Sequence, residues 1–141
     1  MKKILLIILS AILIGGGIAY FLFNKVVMED EEEHFIAKAF QIGVFSNYDN
    51  AFRVAERNNG IVVSDDDYYR VYVAILYNDE AISKLCSYYD EIGLNFYLKE
   101  VFVSDSFVQS ISVNEDLLIN SSSDTYSVIN LSVLDMYEEM L

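Results

Sequence analysis

Cysteine occurs once in this chain of 141 residues, histidine once, proline and tryptophan not at all. Nine Lys plus Arg stand against 22 Asp plus Glu, a formal net charge of −13. A lone cysteine, Cys86, can form neither an internal disulfide framework nor a cysteine-based zinc site. Scarce cations argue against binding nucleic-acid backbones, which requires Lys and Arg to displace counterions. They argue equally against docking on anionic lipid through a basic patch. No G-x-S-x-G, no P-loop and no base placed beside a nucleophile is found, so no enzyme constellation is expected. The sole histidine, His34, sits beside acids at the end of a charged run, where a metal would lack fixed ligands. No metal and no cofactor is expected.

Apolar residues are abundant. They make up 54% of the chain, with 11 Tyr and 9 Phe, far too many for a disordered segment. Residues 4–23 read ILLIILSAILIGGGIAYFLF, a run without a charge. As a helix it is about 30 Å long, the thickness of a bilayer core. Lys2 and Lys3 precede it, so the reading is a transmembrane anchor with residues 1–3 cytoplasmic and the rest of the chain outside. A cleaved signal peptide fits less well, because the run is long and lacks a good small-x-small site. Residues 24–34 contain Glu29, Asp30, Glu31, Glu32 and Glu33 and read as an acidic spacer that repels itself and extends. Beyond residue 23 lie 7 cations and all 22 acids, a formal charge of −15.

The next segment alternates between the two periodicities. Residues 38–45 alternate as a strand. Ser46 can cap a helix, and Tyr48, Ala51, Phe52 and Ala55 then share one helical face, closed by Asn58-Asn59-Gly60. Ile61-Val62-Val63 is a short strand, and residues 64–67 a turn. The order then repeats: a strand over 68–75, Asn78 as N-cap, a helical face of Ala81, Ile82, Leu85, Cys86 and Tyr89 ended at Gly93, and a strand over 94–103. Phe40-Gln41-Ile42-Gly43-Val44 aligns with Tyr69-Arg70-Val71-Tyr72-Val73, and Asp49-Asn50-Ala51 with Asp79-Glu80-Ala81. Two βαβ halves predict an α+β fold: a four-stranded antiparallel sheet in βαββαβ, RNP-like or ferredoxin-like order, after an N-terminal transmembrane helix.

These same elements, Phe40-Gln41-Ile42-Gly43-Val44-Phe45 with Ala51 and Tyr69-Arg70-Val71-Tyr72-Val73 with Ala81, resemble a SPOR (sporulation-related repeat) domain over residues 35–103. The likeness is to the small membrane-anchored type of low-GC Gram-positive bacteria. The resemblance implies binding of peptidoglycan, especially glycan strands stripped of stem peptides, at sites of cell division or sporulation in the cell envelope. It does not imply catalysis. The chain departs from the family where Val73-Ala74-Ile75-Leu76 replaces a Gly-Pro element, and where Val44 follows the first-strand glycine.

With both helices on one sheet face, alternation assigns the other. Ile42, Val44, Val71, Val73, Phe96 and Leu98 point to the helices. Gln41, Gly43, Arg70, Tyr72, Tyr97 and Lys99 are left on an open face as the candidate glycan-binding residues, the glycine allowing close approach. Exposed Tyr and Arg are also ordinary strand residues, explained by cross-strand pairing alone. Residues 104–141 add two helices, one with Phe107, Val108, Ile111 and Leu118, the other with Tyr126, Ile129, Val133, Leu134, Tyr137, Met140 and Leu141 at 3–4 spacing. They either complete the core, dock a partner or lie across the open sheet face. The alternative function is therefore a membrane-tethered module that docks a divisome or sporulation protein, without glycan. RNA binding by an RNP-like sheet is disfavoured by charge.

Overall fold

The structure, a computed structural model, describes residues 34–141, which form one compact unit. The expected cytoplasmic tail, anchor and most of the acidic spacer lie outside the described residues. Among the described residues no helix is long and apolar enough to cross a membrane.

The fold is α+β, with strands β1 (His34–Phe45), β2 (Ile61–Asp65), β3 (Tyr68–Leu76) and β4 (Tyr97–Ser104) in one antiparallel sheet of order β2-β3-β1-β4. Helix α1 (Tyr48–Arg57) joins β1 to β2, and α2 (Asp79–Glu91) joins β3 to β4. Two further helices follow, α3 (Asp105–Asn120) and α4 (Tyr126–Met140), linked through a 3-10 turn at Ser123–Thr125. The βαββαβ order and its strand arrangement agree with the pattern of the two halves.

Local chemistry explains most boundaries and corrects several. Asn47, not Ser46, caps α1, its Oδ1 accepting from Asn50 N at 3.2 Å. Asn78 caps α2 by accepting from Glu80 N and Ala81 N. Gly93 at φ 72° ends α2, where the left-handed region favours glycine, and Leu94 N then donates back to Tyr89 O at 2.9 Å. The β2–β3 hairpin is tighter than the expected turn over 64–67. Asp65 pairs with Tyr68, and only Asp66 and Asp67 connect them, with Asp66 at φ 51°. His34 belongs to β1, opposite Ser104, not to the spacer.

Val71 through Leu76 are all buried, which requires cover on both sheet faces. One face packs α1 and α2. Ala51 and Ala55 meet Val71 there, and Phe40 lies edge-on to Tyr89 at 5.6 Å, within a cluster of Ala74, Leu76, Ala81 and Leu85. The other face packs α3 and α4. Ala37, Ala39, Tyr72, Ile75, Val101 and Val103 share a core with Phe107, Ile111, Val133, Leu134 and Tyr137. The small Ala37 and Ala39 leave room there for the Phe107–Tyr137 pair, whose ring centroids are 5.7 Å apart. The face expected to be open is thus largely covered by the C-terminal helices.

Candidate functional site: the uncovered part of the sheet

The cover stops short of one end of the sheet. There the face turned away from α1 and α2 carries Gln41 of β1, Asp65 of β2, Arg70 of β3, and Tyr97 and Lys99 of β4. Tyr97 sits directly opposite Gln41, and Lys99 opposite Ala39. Five of the six residues expected on one face are on it: Gln41, Arg70, Tyr72, Tyr97 and Lys99.

Gly43 is not, and the reason is a bulge. The β1–β3 register slips at Phe40/Gln41 and again at Gln41/Gly43, which reverses the side-chain alternation beyond it. Gly43 therefore pairs with Val71 on the α1 side. A Cβ added to Gly43 would fall 2.5 Å from Cε2 of Phe45, which packs in the α1 cluster. Val44, expected to face the helices, sits opposite Arg70 and is exposed. Phe45 takes its inward place.

Tyr72 is on the expected face but is only 2% exposed, beneath α4. Burial, with Tyr137 nearby, pushes its phenol up to about 12. It cannot touch a ligand while α4 is in place. Tyr97, at 66% exposure, is the open ring. Tyr68, which shares the face of Arg70, is a second exposed ring at the hairpin end. Tyr69 turns the other way and packs edge-on to Tyr48 of α1.

The polar groups form a connected cluster. Arg70 donates through Nε to Asp65 Oδ2 and through Nη1 to Gln41 Oε1, the latter at 3.0 Å. Lys99 Nζ lies 3.8 Å from the same Asp65 oxygen. The hydrogen bond from Arg70 holds the Asp65 carboxyl below the usual carboxylate range, with Lys99 adding a smaller effect and partial burial opposing it. The cluster offers unused guanidinium and ammonium donors beside two rings. It can hydrogen-bond hydroxyl and carbonyl oxygens of a neutral ligand, and stack on its C–H faces.

Asp65 was not legible as a member of this site, whereas alternation allows only one of Tyr68 and Tyr69 on the open face, and the unbroken β2–β3 register places Tyr68 there with Arg70 and Tyr72. The run Asp65-Asp66-Asp67 left the turn position open, and only a two-residue turn puts Asp65 on the parity of Arg70. Away from this site, Cys86 is half-buried, with its thiol pushed up by burial. His34 is exposed. Among the described residues no group of His, Cys, Asp and Glu gathers as a metal site. No family model matches the chain, and neither characterised proteins nor solved structures match it.

Proposed function

We propose that the protein is a membrane-anchored, extracytoplasmic SPOR-like module that binds peptidoglycan glycan strands through the uncovered end of its sheet. One observation carries the reading: Tyr97 and Tyr68 stand exposed on either side of the Gln41–Arg70–Lys99 cluster. Rings flanking hydrogen-bond donors suit an uncharged sugar backbone, whereas the formal charge of −13 disfavours an anionic wall polymer. Residues 4–23 supply the anchor in this reading. The test is co-sedimentation of the protein with purified sacculi, with and without amidase treatment. Pelleting that rises after stem peptides are removed supports the reading; pelleting that is absent or indifferent to amidase sinks it.

A second reading is favoured by a different observation. The α3–α4 cover buries Tyr72, and Asp65 already occupies part of Arg70. Both reduce the sheet surface left for sugar, and both suit a tethered module that docks an envelope protein. Cross-linking in cells that traps a protein through a probe at Tyr97, without sacculus binding, selects this reading.

A further inference from the structure

β2 is an outer strand of the sheet, with β3 on one side only. Asp65 and Tyr68 close a two-residue hairpin, and the pair that closes such a turn is hydrogen-bonded. Alternation then assigns Ile61, Val63 and Asp65 to bonding with β3, while Val62 and Ser64 aim their N–H and C=O groups outward. Among the described residues nothing pairs with these outward groups. A row of this kind is a template for another strand.

The edge forms the floor of a groove. A cavity of about 300 Å³ lies between α1 and α4, with Ile61 and Val62 in its lining. The α1 wall carries Tyr48 and Phe52, stacked with ring centroids 5.9 Å apart, each about half exposed. The α4 wall carries Leu131, 40% exposed, with Asp135 and Glu138. Glu56 adds a third carboxylate from α1. No Lys or Arg lines the groove, and among the described residues none of the three carboxylates is in an ion pair.

The two walls stand over opposite faces of β2. Val62 packs in the α1 cluster, and Ile61 shares a core with Val133 and Leu134 of α4. A strand added to β2 therefore sends alternate side chains to each wall. One row meets the two rings, and the other meets Leu131 and the α4 carboxylates.

We propose that the groove takes an extended segment of a partner protein, apolar at one parity and Lys or Arg at the other, which adds to the sheet beside β2. The backbone groups of Val62 and Ser64 hold it, and the carboxylates select its charge. The same charge argues against two other occupants. A second copy brings a formal charge of −13, and residues 29–33, which lead into β1, are all acids. The surface is distinct from the sheet-end site, since none of Gln41, Arg70, Tyr97 and Lys99 lines it. It stands or falls independently of glycan binding.

The test is fluorescence anisotropy of a labelled octapeptide alternating Val and Lys, titrated with the full-length chain in a nonionic detergent, with a Val–Glu octapeptide as control. Binding of the Val–Lys peptide alone is expected. Ser64→Pro removes an outward N–H from an exposed position and no bond to β3, a change an edge strand tolerates. It should weaken binding at least about fivefold. Asp135→Asn/Glu138→Gln, at two exposed positions, should also weaken it at least about fivefold. Urea midpoints identify the variants that stay folded. Binding that is absent, that is equal for the Val–Glu peptide, or that is unchanged in a folded variant overturns the proposal. Sedimentation velocity on the same samples covers the second copy: a dimer that Ser64→Pro dissociates assigns the edge to self-association and overturns it as well.

Discussion

Arg70 Nη1 donates to Gln41 Oε1 at 3.0 Å, and the two residues occupy equivalent places in the two βαβ halves, 29 positions apart. The repeats therefore meet at the candidate site itself. Asp65 then takes Arg70 Nε, so the guanidinium is held from both sides with donors to spare.

Asp65→Asn tests that hold. The Asp65 carboxyl is depressed in the folded protein, so its contribution to stability is present above the ordinary carboxylate pKa of about 4 and is lost as pH falls through the lowered folded value. The variant should flatten the stability curve below about pH 4, and leave its slope near neutrality unchanged, in urea melts taken across pH.

Tyr72 and Tyr97 should separate folding from binding. Tyr72 is buried beneath α4, so Tyr72→Ala should cost about 3–5 kcal/mol. Tyr97 is exposed, so Tyr97→Ala should cost under about 1 kcal/mol. Denaturant midpoints check both. A loss of binding in Tyr72→Ala alone is thus a folding effect.

Glu115 joins the C-terminal helices to the sheet. It is 3% exposed, and its Oε1 accepts from Tyr77 N at 2.6 Å and Asn78 N at 2.7 Å at the entry to α2. Glu115→Ala orphans both amides and should cost about 2–4 kcal/mol. Burial raises the Glu115 carboxyl, against the pull of the two N–H groups. A raised group contributes its stability fully below the unfolded pKa of about 4.3 and loses it as pH rises through the folded value. The stability difference between wild type and Glu115→Gln should therefore shift in favour of the variant from about pH 4 to 7, measured by urea unfolding.

Truncation after Ser121 removes α4 and with it the buried Tyr126, Val133, Leu134 and Tyr137. The remaining sheet would expose Tyr72 and Ile75 of β3, against which α4 packs. Cooperative thermal unfolding should disappear, with near-ultraviolet dichroism lost before far-ultraviolet dichroism. A truncated chain that melts sharply would make α4 a removable cover.

The strand and helix order was legible because each half carries a clean switch between alternating and 3–4 spacing. Asn78 and Gly93 marked the limits of α2 for plain local reasons. The side-chain faces were legible up to residue 42 of β1 and no further, because a bulge has no sequence signature and reverses every side chain beyond it. That is why Gly43 and Val44 exchange faces. The position of α3 and α4 was not legible either. Their apolar stripes announced burial, but a stripe does not say which surface it covers. The run Val71–Leu76 did carry the clue: a strand apolar at nearly every position is covered on both sides.

The most direct measurement is sedimentation of Tyr97→Ala/Lys99→Ala protein with amidase-treated sacculi. The account predicts that the doubly substituted chain keeps its unfolding midpoint and loses most of its pelleting, at least about tenfold, consistent with removing a stacking ring and a donor together. Pelleting equal to wild type from a normally folded variant would contradict it.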